Sequence, residues 1–310
     1  MNSRIMDKVI DLLELKKCGY TIIEYPEHNR KSIDMIVNTN EPTIVKISED
    51  KITKDEIADL RKIAASTRSA SLIITNEEEE DIVSVKADNV FAMSPEGFRK
   101  IMNGEKIFLY RTRGGIFIKI RHDLLRHKRE EMGYSIGDLA KFLGVSRKAI
   151  YDYEKGDSDV SLEVAEKLID IFGEDIIGDI IKDSIKEFKE IEDEEQSIEP
   201  SSDNFKAKLM YMLKENGLKV LSLKLTAIDL IVRSNRNNKK YLLAIENKDY
   251  NKSLKKFYEA KKIASYTNSE LLIIARSSRA LKDYEELGYK IYEENDIPFL
   301  IDEIKGDSRR

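Results

Sequence analysis

Residues 135–156, SIGDLAKFLGVSRKAIYDYEKG, decide how the rest of the chain is read. Ser135 is a good helix N-cap, and Asp138 three residues on completes a capping-box pattern. Leu139, Ala140 and Leu143 form one apolar stripe at helical spacing. Gly144 stops that helix, because the left-handed position after a helix favours glycine. Ser146 caps a second helix, which turns inward at Ile150 and Tyr153 and ends at Gly156. Its outward side carries Arg147, Lys148, Tyr151 and Asp152, next to Ser146. Side chains of these types donate to or accept from base edges and phosphates.

Two short helices joined by a tight glycine turn are the signature of a helix-turn-helix. Over roughly residues 121–173 the chain resembles the lambda-repressor-like (Cro/XRE-type) helix-turn-helix family. The resemblance rests on Leu125, Arg126 and Arg129 in a first helix, then Gly133, Ser135, Leu139–Ala140, Gly144–Val145–Ser146, Ile150, Tyr153–Glu154 and Gly156. It implies double-stranded DNA as partner. Arg147, Lys148 and Asp152 then sit where the family reads bases in the major groove, with Ser146 and Tyr151 beside them and Ser135 as a further contact. The family often places Gln on a phosphate at the start of the second helix; here that position is Ile136. Arg129 and Glu154 are expected to pair across the helices in a structural role. The segments YRTRGGIFIKI and YDYEKG look like those of archaeal XRE-type transcriptional regulators.

The chain has 310 residues, enough for two or three domains, and its 41% hydrophobic content lets each bury a core. A net charge of −5 argues against indiscriminate nucleic-acid binding, yet the charge is uneven. Lys119–Gly156 holds nine Lys/Arg against six Asp/Glu, whereas Asp157–Glu199 holds four against sixteen. The acidic stretch would repel DNA from all but the intended face. Cys18 is the only cysteine, so there is no intrachain disulfide and no cysteine metal cage. His28, His122 and His127 are scattered, which argues against a structural zinc site. No signal peptide and no run of eighteen apolar residues is present, so the expectation is a cytoplasmic protein without a membrane partner.

The N-terminal flank reads as α/β. A helix is predicted over Ile5–Lys17, a strand over 21–26, a hairpin of 32–37 and 43–48 around Asn40 and Pro42, a helix over Lys54–Thr67 and a buried strand over 71–76. A short strand and a helix follow in NVFAMSPEGFRKIM. Gly114–Gly115 then marks a two-residue turn between the alternating runs of 106–120. Arg111 and Arg113 near that tip are candidate phosphate contacts, although the simpler expectation is that the hairpin packs on the helical unit or a partner subunit.

Past the helical unit, a helix continues from Glu174 to Glu190, and the acidic Ile191–Asn204 reads as a linker. The N-terminal order then returns. KIAASTRSASLII (62–74) and KIASYTNSELLII (262–274) share eight of thirteen residues at an offset of 200, so the flanks read as an internal duplication. In the second copy Asp229 lies on one strand, and Glu246 and Lys248 lie two apart on the next, on one face. Paired carboxylates hold a hard divalent cation such as Mg²⁺, and a neighbouring lysine can activate water for phosphodiester hydrolysis.

With the helix–strand order of 205–305, this constellation resembles the PD-(D/E)xK nuclease fold of archaeal Holliday junction resolvases and many restriction enzymes. The resolvases add a Glu on the first helix, where this chain has Lys206 and Lys208. In the first copy Asp34 remains, but the offset puts Lys46 and Ser48 at the Glu and Lys positions, so that copy reads as inactive.

The expected architecture is α/β plus all-α: a degenerate nuclease-like domain (1–104), a β-hairpin (105–121), an XRE-type helix-turn-helix domain (122–190), an acidic linker (191–204) and a nuclease-like domain (205–310). The expected function is a sequence-specific, dimeric DNA-binding transcriptional regulator that reads the major groove with 146–155. It needs no cofactor and shows no small-molecule ligand site. The alternative is a Mg²⁺-dependent nuclease or junction resolvase using Asp229, Glu246 and Lys248, with the metal on Asp229 and Glu246.

Overall fold

A computed structural model describes residues 4–27, 30–39, 42–186, 204–234, 239–276 and 281–306. In chain order the elements are α1 (Arg4–Leu15), β1 (Tyr20–Ile22), β2 (Met35–Asn38), β3 (Pro42–Ile47), α2 (Lys54–Thr67), β4 (Ser71–Ile74), β5 (Val83–Ala87), β6 (Val90–Met93) and α3 (Pro95–Met102). The hairpin strands β7 (Leu109–Thr112) and β8 (Gly115–Ile118) lead to α4 (His122–Glu131), α5 (Ile136–Leu143), α6 (Arg147–Lys155), β9 (Val160–Ser161), α7 (Leu162–Phe172) and α8 (Ile180–Lys186). The last segment holds α9 (Asn204–Glu215), β10 (Lys219–Ser222), β11 (Leu230–Arg233), β12 (Lys240–Ile245), α10 (Tyr250–Tyr266), β13 (Glu270–Ile274), α11 (Leu281–Glu286), β14 (Ile291–Tyr292) and α12 (Ile297–Lys305). The acidic linker expected over 191–204 lies outside the described residues except for Asn204, and so does the hairpin tip at Asn40. Among the described residues no helix is long and apolar enough to cross a membrane.

The chain forms two compact units that do not follow chain order. One collects Met1–Lys17, Ile47–Lys51 and Ala70–Phe188; the other collects Cys18–Lys46, Ile52–Ser69 and Lys189–Arg310. In the first unit the strand order is β4-β6-β5-β7-β8-β9. Strand β5 has no counterpart in the sequence reading; it hairpins onto β6 through Asn89, which takes the left-handed conformation at φ 57°. In the β7–β8 hairpin Thr112 pairs with Gly115, so the two-residue loop is Arg113–Gly114, one position before the predicted Gly114–Gly115. Strand β8 then pairs with β9 through Phe117–Ser161 and Ile118–Val160, which fastens the hairpin to the helical unit.

Helices α4 to α7 enclose a core of Leu125, Leu139, Leu143, Ile150, Leu168 and Phe172. Five such fully desolvated aliphatic side chains contribute about 1.5–3 kcal/mol each. The helix expected from Glu174 is interrupted: a 3-10 turn at Glu174–Ile176 precedes α8. Gly173, at φ 84°, ends α7 and sets that break.

In the second unit β10, β11 and β12 are antiparallel, while β13 and β14 join in parallel. One face packs Leu230, Val232, Tyr241 and Leu243 against Leu209 and Leu213 of α9 and Leu300 and Ile304 of α12. Segments from the first third of the chain belong to this unit because buried polar groups are satisfied there. The Asp59 carboxylate on α2 accepts from the backbone N–H of Lys224 (3.0 Å) and Leu225 (2.7 Å) and from the Ser32 hydroxyl (3.1 Å). Lys62 donates to the Ser222 carbonyl at 2.7 Å. On α10, Glu259 accepts from the Glu24 N–H at 2.9 Å and Lys262 donates to the Ile22 carbonyl at 3.1 Å. The partners thus match at an offset of 200: 59 with 259, 62 with 262, 24 with 224 and 22 with 222.

Candidate nucleic-acid interface

Local capping aims α6. The Ser146 hydroxyl oxygen accepts from the Ala149 N–H at 3.0 Å, which leaves its O–H proton available to a ligand. Ile150 and Glu154 are the buried side of the helix. Glu154 is held by Arg129 of α4 in a two-point ion pair, Nε to Oε1 and Nη2 to Oε2, the latter at 3.0 Å. Arg129 also donates to the Tyr134 carbonyl at 2.9 Å, and the carboxylate beside it raises the guanidinium pKa. The expected structural pair is therefore in place, and it fixes α6 against α4.

The opposite side of α6 is open. Arg147, Lys148 and Tyr151 are exposed and Asp152 is partly so. Lys148 and Asp152 form an i,i+4 pair at 2.9 Å, which raises the lysine pKa. The Lys155 ammonium stands 4.4 Å from the centre of the Tyr151 ring, a cation–π contact that the sequence reading did not single out. Its signal was the plain i,i+4 spacing. Also missed was Gly137. A Cβ there would lie 3.1–3.2 Å from the Arg147 guanidinium, which therefore rests on the first turn of α5.

The outlying candidates are more committed. Ser135 is the cap of α5: its hydroxyl donates to Asp138 at 2.5 Å and accepts from the Asp138 N–H at 3.0 Å. Its one donor proton is thus used internally. Arg111 pairs with Glu79 at 2.5 Å, whereas Arg113 is exposed in the hairpin loop.

The nuclease-like constellation is differently placed from the sequence expectation. Asp229 lies just before β11, and Glu246 and Lys248 lie beyond the end of β12 rather than along it. Asp229 is paired at 2.5 Å with the buried Lys256 of α10, and also accepts from the Ile245 N–H at 2.6 Å. Lys256 further donates to the Ile245 carbonyl at 2.9 Å. Glu246 accepts from the Arg276 N–H at 2.7 Å and from the Tyr284 hydroxyl at 2.9 Å. Lys248 is exposed. Lys206 of α9 donates to the Leu223 carbonyl at 2.6 Å; burial lowers its pKa, against the raising pull of Asp229. Among the described residues no group of three or more His, Cys, Asp or Glu converges as a metal site.

The corresponding place in the N-terminal segment differs from the sequence expectation. The Ser48 N–H donates to the Ile74 carbonyl as the Glu246 N–H donates to that of Ile274, so Ser48 stands where Glu246 does and Asp50 where Lys248 does. Asp34 corresponds to Asp229 by the same criterion, their N–H groups donating to Val45 and Leu243. A fixed offset fails because the connections before β2 and β11, and before β3 and β12, differ in length. Lys46 is instead a buried partner of Asp34 (3.1 Å) and Glu56 (3.6 Å).

Comparison with known proteins follows this division. A family model described as a PD-(D/E)XK superfamily domain matches residues 2–107, the N-terminal α/β segment. One described as helix-turn-helix matches residues 125–177. A relative from Saccharolobus solfataricus is 74% identical over all of this chain and 99% of its own length, and carries the name "Putative HTH-type transcriptional regulatory protein". The chain belongs to this family. A similarly named member from Saccharolobus islandicus is 73% identical over the same span. Another from Sulfurisphaera tokodaii is 41% identical over 94% of this chain and 97% of its own. No solved structure matches.

Proposed function

We propose that this family member is a sequence-specific DNA-binding transcriptional regulator that reads the major groove with α6. The observation that carries the reading is the two-sidedness of that helix. Its inner side is locked by Ile150 and the Arg129–Glu154 pair, and its outer side offers Ser146, Arg147, Lys148, Tyr151 and Asp152. A rigid helix with exposed donors is what base readout requires. Lambda-repressor-like units bind pseudo-palindromic half-sites about one helical turn apart, so the functional form is a homodimer on double-stranded DNA in the cytoplasm.

The nuclease-like segments act without cleavage in this reading. A Mg²⁺ site asks for carboxylate oxygens that are free to ligate. Asp229 is paired with Lys256, and the two Glu246 oxygens accept from the Arg276 backbone N–H and the Tyr284 hydroxyl, so a cation would have to compete with partners already in place. The two segments are products of one duplication. Hydrogen bonds exchanged at an offset of 200, from each long helix to the strand region of the other copy, support that history.

The test combines footprinting on genomic DNA with a cleavage assay. A protected, pseudo-palindromic site that is lost in Arg147→Ala is the expected result. Linear, supercoiled and four-way junction DNA should stay uncut in Mg²⁺ or Mn²⁺, and Asp229→Ala and Glu246→Ala should leave the footprint intact. Metal-dependent nicking that disappears in either variant overturns the non-enzymatic reading.

A further inference from the structure

A cleft of about 500 Å³ opens in the first unit between α1 and α3. That is the size of sites that enclose small molecules. It lies past the carboxyl ends of β4 and β6, which are neighbours and run parallel. In open α/β sheets the crevice at that end of the strands is where ligands are held. Asn76 and Glu78 follow β4, Ser94 and Pro95 follow β6, and α1 closes the cleft from the other side. Neither Asp34 nor Ser48 lines it, so it is separate from the nuclease-like positions. The sequence reading expected no small-molecule site, because these walls come from segments far apart in the chain.

The cleft combines apolar and charged walls. Val9 and Phe98 are buried and Leu12 is half-buried. Several of the polar groups around them are already committed. Arg99 donates through Nε to both Glu96 oxygens at 2.9 Å. Glu78 accepts from the Ser84 hydroxyl and, at 2.7 Å, from Lys86. The Ser94 hydroxyl accepts from the Gly97 N–H at 3.0 Å. Three others are not committed. Lys8, Asn76 and Glu80 are exposed, and among the described residues their side chains make no hydrogen bond or ion pair. The backbone that carries Glu80 is nonetheless held in place. Its carbonyl oxygen lies 3.6 Å from where a Gly97 Cβ would stand, on the first turn of α3. The next residue, Asp81, pairs with Lys100 of the same helix.

We infer that this cleft is an effector site for a small zwitterion with an apolar body, of the class of a hydrophobic amino acid. The ligand ammonium meets Glu80, its carboxylate meets Lys8 and the Asn76 amide, and its side chain covers Val9, Leu12 and Phe98. Ligands of a single sign fit less well. A purely anionic molecule faces Glu78, Glu80 and Glu96, and a purely cationic one is opposed by Lys8. The wall that supplies Glu80 also reaches toward the helical unit. Glu78 ties it to Lys86 on β5, and Glu79 ties it to Arg111 on β7 at 2.5 Å. Strand β7 hairpins with β8, which pairs with β9 beside the helices. A ligand that draws Glu80 inward therefore acts on a segment joined to the helix-turn-helix. Binding in the cleft is independent of the DNA-binding reading of α6, whereas the effector role rests on that reading.

The experiment is titration calorimetry on the full-length protein without DNA, with L-leucine and L-phenylalanine as probes. N-acetyl-L-leucine lacks the ammonium, L-leucinamide lacks the carboxylate, and glycine lacks the apolar body. At least one probe should bind, and the first two controls should bind about tenfold more weakly or worse, the loss expected for one charge-assisted contact. Glycine should bind more weakly as well. Glu80→Gln should lose the preference for leucine over N-acetyl-leucine and keep the preference over leucinamide; Lys8→Gln should do the reverse. Both side chains are exposed, so the variants should melt like wild type without probe. A merely structural role does not produce that crossed pattern. Failure of both probes to bind wild type, or binding that both variants leave unchanged, overturns the inference. At saturating probe the affinity for a duplex carrying the footprinted site should change about fivefold or more. Unchanged DNA affinity with the probe bound overturns the effector role. Wild type that binds no duplex overturns both the α6 reading and the effector role, while the calorimetry still decides the cleft.

Discussion

Lys148 meets Asp152 at 2.9 Å on the outside of α6, and Lys256 meets Asp229 at 2.5 Å inside the second unit. The residue types are the same and the aspartates are similarly buried, but the surroundings of the lysines are opposite. The Lys148 side chain is 81% exposed, that of Lys256 5%. An exposed i,i+4 pair contributes about 0.3–0.5 kcal/mol, so a phosphate or base edge can replace either partner at little cost. A buried pair is held far more strongly against loss of one member, because the other charge is stranded. One arrangement keeps its charges exchangeable and suits a ligand. The other holds its lysine against Asp229 inside the unit, and suits architecture. The same contrast recurs at Lys46, which lies buried between Asp34 and Glu56 in the N-terminal segment.

The largest effects should come from the buried pairs. Glu154→Ala leaves Arg129, which is 7% exposed, with the Tyr134 carbonyl and the exposed Glu130 carboxylate only, and should cost about 3 kcal/mol. Calorimetry or denaturant melts should show that loss with DNA absent. Wild-type melting together with selectively lost DNA binding would make Glu154 a contact residue and break the division between inner and outer sides of α6. Lys256→Met is the matching change in the second unit. It leaves Asp229 with the Ile245 N–H as its remaining donor among those named, and a cost approaching about 3 kcal/mol is expected. If Lys256→Met instead melts like wild type and acquires metal-dependent cleavage, the lysine was a lock on a competent site rather than part of the frame.

An intermediate effect is expected on the exposed side. Arg147→Ala should lose about 1–3 kcal/mol of discrimination at one base pair and leave melting unchanged. The readout is competition between the natural site and single-base variants. Equal loss of affinity for every sequence would move Arg147 from base reading to phosphate contact.

These contrasts were unevenly legible in the sequence. The helix-turn-helix was legible because its determinants are local. Ser135 and Ser146 cap where their spacing says, the Ser135–Asp138 capping box forms, and Gly144 and Gly156 both take φ 74°. The outer face of α6 follows from helical period alone. The nuclease-like region was legible in its order of elements but not in its site, since the partner of Asp229 comes from a helix 27 residues on and no periodicity announces it. The assignment of Lys46 and Ser48 failed for a related reason: connections of unequal length shift the strands relative to a helix match that is itself sound. Nor does composition reveal that Cys18–Lys46 and Ile52–Ser69 join the C-terminal unit; that follows from carboxylates and lysines on α2 that find backbone partners near Ser222–Leu225.

The smallest change sharpens the comparison most, because its two effects should have opposite signs. Gly137 is the second residue of α5, and glycine within a helix costs roughly 0.5–1 kcal/mol relative to alanine. Gly137→Ala should therefore stabilise the fold slightly, toward the lower end of that range at so early a position. The added Cβ would come within 3.1–3.2 Å of the Arg147 guanidinium. That group is the end of a flexible, exposed side chain, so it moves aside without disturbing the core. Its resting place on the first turn of α5 is then lost, and Arg147 must be aimed again each time DNA binds. Sequence preference should fall while the melting temperature holds or rises. In an Arg147→Ala background the same substitution should leave DNA affinity untouched, since nothing remains to misplace; this double-mutant cycle isolates the coupling. An equal loss of affinity in both backgrounds would mean that Gly137 itself approaches the DNA, and that its missing side chain makes room for a phosphate rather than for Arg147.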